Sequence, residues 1–358
     1  MANVLDYLKW RGDLSLDENP FNEVDAMVLA RISYIPFDGI VAANFKERIL
    51  LKEAAEVFLN RKDSTEKILW HTDLEFLSLL STSKRFGNME LSGYVNQIDE
   101  ELEKQFCAVT VKMKNQTYYV SYRGTDSTLV GWKEDFNMTF MTPIPSQQSA
   151  YEYFTTAAEM LPGEFFLGGH SKGGNLAVYA AAMCGCNNQK RIIEVYNFDG
   201  PGFEHNFHSQ EGYISVSDKI RTYIPQSSIV GMLLDHEEEY MIVKSSRAGI
   251  MQHDLYSWEI MGKAFIKQDE LAKESRILDI SLKEWVSGMN YEQRQQLVDA
   301  IFMIFRDTGA STMEELMSQW YKNIGSVIAS LKSMDNKDKK NMMRTFQSLI
   351  KIFRKNMA

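Results

Sequence analysis

The sequence predicts an α/β fold with a mostly parallel central sheet, followed by a helical C-terminal region. Three observations carry that prediction. Between residues 105 and 243, short β-branched and aromatic runs alternate with longer amphipathic ones. A Gly-x-Ser-x-Gly stretch stands where one apolar run passes directly into an Ala-rich one. Beyond residue 265 the short runs cease and only helical spacing is left.

Taken in chain order, residues 24–36 and 46–59 space their apolar side chains by three and four, as amphipathic helices do, and Pro36 stops the first. Residues 105–113 and 117–122 are strand-like and joined by Lys114-Asn115-Gln116, a hairpin or short loop. Further short runs follow at 164–168, 192–198, 219–224 and 238–243, with helices expected at 147–161 and 172–184. Residues 278–289, 291–305 and 313–331 read as helices, and the last segment, 337–358, sets Met342, Phe346, Leu349, Ile350, Phe353 and Met357 on one face. The expected division is a domain over 1–262 and a helical extension over 263–358.

With 358 residues, 44% of them apolar and 24% charged, the chain can bury a large core. A net charge of −9 argues against nucleic acid as a partner. The charge is uneven: residues 261–358 carry 16 basic and 12 acidic side chains, and residues 1–260 carry 23 and 36. Residues 331–358 hold eight basic and two acidic side chains, and a basic amphipathic helix can lie on an anionic membrane as a peripheral contact. A packed terminal helix with a solvated basic face is the preferred reading. Three cysteines, Cys107, Cys184 and Cys186, suit a reducing compartment, and Cys184-Gly-Cys186 lacks a second pair at metal spacing. The N-terminal residues carry charges without an apolar core, and no apolar run reaches the roughly 18 residues of a spanning helix. These features point to a soluble, cytoplasmic protein.

The chemistry centres on Gly169-His170-Ser171-Lys172-Gly173-Gly174. A serine between two glycines at a strand-to-helix junction is the arrangement of a nucleophile elbow, in which the glycines let strand and helix approach while the hydroxyl projects over the helix N-terminus. Such a serine needs a base, and the base an orienting acid. Of the six histidines, His71 precedes the elbow and His170 lies within it. His205 and His208 sit in a loop better placed to supply the acid, and His236 precedes the run 238–243. His253 follows that run, in a loop expected to lead into a helix, and is the preferred base. For the acid, Asp199 ends the run 192–198 and opens the rigid turn Gly200-Pro201-Gly202; Asp235 is the alternative. Asp254 is too close to His253 in sequence to reach its Nδ1 and suits a cap. An oxyanion needs two donors: the N–H of Lys172, just after the serine, and Thr125, in the turn after the strand 117–122. The site needs neither metal nor organic cofactor.

The stretches Tyr122-Arg123-Gly124-Thr125-Asp126-Ser127, Gly131-Trp132-Lys133-Glu134-Asp135 and Gly169-His170-Ser171-Lys172-Gly173-Gly174 together resemble the class 3 lipases, which are α/β-hydrolases. The likeness covers about residues 105–258, and the whole chain resembles a bacterial branch of that superfamily. It implies Ser171 as nucleophile and Thr125 with Lys172 as oxyanion donors. At the position where class 3 lipases carry the acid, this chain reads Ser228-Ile229-Val230-Gly231. Asp199-Gly200-Pro201-Gly202-Phe203 instead is similar to the acid-bearing stretch of pancreatic-type lipases, and His236 resembles a noncatalytic histidine of the class 3 lipases. The resemblance also implies a mobile apolar lid between 126 and 147. The expected activity is cleavage of carboxylic esters, with an acyl or lipid substrate as partner. Thioester cleavage or acyl transfer by the same triad, or a noncatalytic membrane-associated protein on a hydrolase scaffold, are the alternatives.

Overall fold

In a computed structural model, residues 2–126, 128–307 and 336–357 are described. The chain forms two compact units. The first holds Met1–Gln97, Phe106–Gly124 and Ser146–Ala272; the second holds Ile98–Gln105, Thr125–Pro145 and Lys273–Ala358.

Helix α1 (Val4–Arg11) and helix α2 (Glu23–Ile32) both start at asparagines that cap them, Asn3 and Asn22, each with an aspartate three residues on closing a capping box. Helix α2 is buried along almost its whole length, because it lies against the sheet rather than on the surface. It ends at Ser33, ahead of Pro36, and so delivers Tyr34 to the interior. Residues 46–59 divide: Ile49–Leu50 is a short strand, β1, and only Leu51–Leu59 is helical, α3. Helix α4 (Thr72–Thr82) packs on α3 and α1.

The main sheet runs β1, β2 (Glu90–Asp99), β3 (Lys104–Lys112), β4 (Thr117–Tyr122), β5 (Glu164–His170), β6 (Ile192–Phe198), β7 (Ile220–Pro225) and β8 (Tyr240–Val243), side by side in sequence order. Strands β1 and β2 pair antiparallel, as do β3 and β4; from β4 to β8 every pairing is parallel. The turn between β3 and β4 uses left-handed backbone at Asn115 and Gln116. Parallel neighbours need crossovers, supplied by α6 (Pro145–Met160) between β4 and β5 and α7 (Lys172–Met183) between β5 and β6; α5 (Leu129–Asn137) precedes α6. The α/β class with a mostly parallel sheet expected from the sequence is what the chain has.

Side chains alternate across the sheet. Tyr119, Phe166, Tyr196 and Phe198 enter the core beneath α1 to α4, whereas Tyr118, Val120, Phe165 and Leu167 enter the core beneath α6 and α7. The register pairs Tyr119 with Phe166 and Tyr118 with Phe165, so each face is continuous across strands. Each such side chain, fully buried, contributes about 1.5–3 kcal/mol, and the two faces together fix the sheet between its helices.

In the second unit, α8 (Lys273–Ser287), α9 (Tyr291–Asp307) and α10 (Asn336–Met357) are helical. The Trp285 indole donates to the Thr345 carbonyl at 2.9 Å, joining α8 to α10. Phe140, Trp132 and Met141, from the apolar stretch after Thr125, pack with Val298 and Phe302 of α9. The helix expected at 313–331 lies outside the described residues. No helix among the described residues is long and apolar enough to cross a membrane.

Candidate active site

All the strands from β4 to β8 point the same way, so the turns at their carboxyl ends gather on one edge of the sheet. Strand β5 delivers Ser171 there and α7 begins at once. Ser171 has φ 58° and ψ −135°, a sparsely populated backbone that costs on the order of 1–3 kcal/mol and that the surroundings must enforce. The glycines show how. A Cβ on Gly169 would lie 2.3 Å from the Gly173 carbonyl carbon, and one on Gly173 would lie 2.2 Å from the Tyr122 carbonyl oxygen. Strand, elbow and helix therefore touch backbone to backbone. Ser171 is only 8% exposed. Lys172 is the first residue of α7, and a helix N-terminus presents N–H groups and favours negative charge.

Strand β6 delivers Asp199, whose φ of 52° is also left-handed. Its carboxylate is completely buried. Oδ2 accepts from His253 Nδ1 at 2.6 Å; Oδ1 accepts from the Ser228 hydroxyl and from the Gly231 N–H at 3.2 Å. Both donors to Oδ1 come from the turn after β7. The turn that carries Asp199 is held in its own right: Asn197 Oδ1 accepts from the Gly200 N–H, and Asn175 donates to the carbonyls of Pro201 and Gly202. Gln147 in turn orients Asn175 by donating to its Oδ1 at 2.8 Å.

His253 closes a 3-10 turn, Gly249–His253, and its side chain is 25% exposed. The helix expected after it is a second 3-10 turn, Leu255–Ser257, followed by a short strand; one turn is all the chain allows before the pairing of Ser245 with Trp258. Asp254 accepts from the Tyr256 N–H and so caps that turn, as expected.

The structure thus brings His253 to Asp199. The alternative acid, Asp235, forms an antiparallel bridge with Phe203, and its carbonyl accepts from His208 Nε2. His236 pairs with Glu238 at 2.9 Å, and His205 lies 3.5 Å from Glu237. Thr125 belongs to the second unit, where its hydroxyl donates to Asp135 Oδ2 at 2.5 Å.

Three residues near this site have contacts that the sequence does not predict: Ser228, His170 and Tyr34. Ser228 anchors the acid. His170 donates from Nε2 to the His253 carbonyl at 2.8 Å, and its ring lies 4.4 Å from that of His253. Tyr34 Oη contacts His170 Nδ1 at 2.9 Å and accepts from the Gly124 N–H at 3.2 Å. Behind Tyr34, Arg31 is clamped on Asp73 by two hydrogen bonds of 2.7 and 2.6 Å and stacks on the rings of Tyr34 and Trp70.

The sequence profile of the Mbeg1-like family matches residues 80–303 of the chain. A search of curated proteins finds no match. Among solved structures, the lipase of Rhizomucor miehei in its propeptide complex is similar at 13% identity over 61% of this chain and 67% of that chain, with a TM-score of 0.39. An M37 lipase is similar at 15% identity over 58% of this chain and 69% of that chain, with a TM-score of 0.35.

Proposed function

The chain belongs to the Mbeg1-like family, a lipase-like family, and on that premise we propose that it is a serine hydrolase that cleaves carboxylic esters with an acyl chain. Ser171 is the nucleophile, His253 the base and Asp199 the orienting acid. The observation that carries the reading is the 2.6 Å contact from His253 Nδ1 to a fully buried carboxylate. An imidazole that donates from Nδ1 offers Nε2 as its basic nitrogen.

In the proposed reaction the Ser171 hydroxyl loses its proton to His253 Nε2 as Oγ attacks the ester carbonyl. Asp199 stabilises the imidazolium, and the three donors around its carboxylate fix its orientation. The N–H of Lys172, at the start of α7, is assigned to the developing oxyanion, with Thr125 as the second donor expected from the sequence. Collapse of the tetrahedral adduct passes the proton from His253 to the departing alcohol; water then attacks the acyl-enzyme by the same route in reverse.

Intact-mass measurement after exposure to a fluorophosphonate tests this directly. One adduct on the wild type and none on a folded Ser171→Ala variant is the expected result; no adduct on folded wild type, with or without detergent, would remove the proposal.

A further inference from the structure

We propose that His170 and Tyr34 are positioning residues that lock the loop carrying His253 to the nucleophile elbow, an inference that rests on the hydrolase reading above. The His253 carbonyl can only accept, so the 2.8 Å contact requires a proton on His170 Nε2. Burial, with the charge of the Arg31 guanidinium adding to it, holds the His170 pKa well below the usual histidine value. The ring is therefore neutral and has a single N–H, already committed to His253. Nδ1 is left as an acceptor, and the Tyr34 hydroxyl donates to it at 2.9 Å in preference to its longer contact, 3.3 Å, with the His170 carbonyl, because two lone pairs would otherwise face each other across the shorter distance. The same oxygen takes the Gly124 N–H on a lone pair. Donation runs one way, from Gly124 to Tyr34 to His170 to His253, and chains of that kind strengthen one another.

Each link joins a different segment. Gly124 lies in the turn after β4, where a Cβ would stand 2.9 Å from the Ser171 Cβ and 2.4 Å from Tyr34 Oη. His170 is the last residue of β5, and His253 closes its own 3-10 turn. His253 is consequently held at two points: its ring by Asp199 and its main chain by His170. With the ring anchored alone, it could pivot about the Nδ1 to Oδ2 line and turn Nε2 out of the orientation that the proposed reaction needs. The carbonyl anchor, together with the ring of His170 packed at 4.4 Å and tilted by 36°, removes that pivot. Tyr34 acts one step further back, by denying His170 the other tautomer.

The test uses the full chain with Tyr34→Phe, His170→Asn and His170→Gln. Glutamine can reach the His253 carbonyl with an amide N–H while its oxygen accepts from Tyr34; asparagine is too short to reach that carbonyl. We expect His170→Asn to lose about 10–100-fold in kcat on a soluble ester, the scale of a misplaced catalytic group, with KM within about twofold. His170→Gln should recover most of the loss, which a merely structural role would not predict. Nitrogen-15 spectra of the histidine rings should show His170 in the Nε2–H form near neutral pH, and a tautomer mixture in Tyr34→Phe. Wild-type kcat in folded His170→Asn, or an Nδ1–H form of His170 in the wild type, overturns the proposal. If the wild type is labelled by fluorophosphonate but His170→Asn turns over at full rate, only the relay falls; if the wild type takes no label, the relay falls with the hydrolase reading.

Discussion

The hydroxyl of Ser228 donates to Asp199 Oδ1, the carboxylate oxygen that His253 does not use. Replacing it by alanine leaves the Gly231 N–H as the remaining contact named for that oxygen. Ser228→Ala should lower stability by about 1–3 kcal/mol, the scale of a hydrogen bond to a buried charge, and turnover about tenfold. Calorimetry and steady-state kinetics on one preparation check both.

The two candidate acids separate cleanly by mutation. Asp199→Asn removes the acceptor that fixes the His253 tautomer, and kcat should fall on the order of 10⁴-fold, as in other serine triads. Asp235→Asn should leave kcat near wild type, because the His253 Nδ1 is already held by Asp199. A larger loss in Asp235→Asn than in Asp199→Asn would reassign the acid.

Gly173→Ala should be more damaging than its single methyl suggests. The new Cβ would stand 2.2 Å from the Tyr122 carbonyl oxygen and 2.9 Å from the Arg123 carbonyl carbon, neither of which can rotate away. A loss of about 3 kcal/mol or more is expected, with the helix forced off the strand. Urea melts against wild type measure it.

Acid stability should depend on Glu238. Burial pushes its carboxyl upward, but the hydrogen bond and charge of His236, with the hydroxyls of Thr222 and Tyr213, outweigh that and hold the pKa down to about 2. A carboxyl lowered in the folded state stabilises fully above its unfolded pKa, about 4.3, and that contribution is lost as pH falls toward 2. Glu238→Gln should therefore cost about 2–3 kcal/mol at neutral pH. Its unfolding free energy should change less than that of wild type between about pH 4.5 and 2. Denaturant melts across that range are the measurement, and parallel acid limbs would contradict it.

Much of this was readable in advance, for reasons that particular residues make clear. The run 192–198 stands alone as a strand because it is apolar and bounded by Arg191 and the Asp199 turn. Strand β2 was not anticipated: its second half is polar and exposed, and Gly93, at φ 64°, interrupts it where the Phe45 ring packs. Strand β1 hides inside a helical pattern because two residues carry no periodicity. His253 and Asp199 could be paired by chain order and turn chemistry. Ser228 could not be seen as an anchor, since by sequence it registers only as a missing carboxylate. Tyr34 lies 136 residues from His170 and closes an apolar helical pattern, so nothing local marks its hydroxyl as a partner.

The common direction of β4 to β8 also has a practical meaning for lengthening the chain. Ser171, Asp199 and Ser228 all follow carboxyl ends of strands. Gly185 lies past the other end of α7, about 18 Å along the axis of that twelve-residue helix. Among the described residues, nothing beyond its two chain neighbours lies within 4 Å of where a Cβ would be at Gly185, and Cys186 beside it is exposed. A peptide tag or fluorophore spliced in at that loop would sit on the amino edge of the sheet, where it could report on the protein without reaching its chemistry.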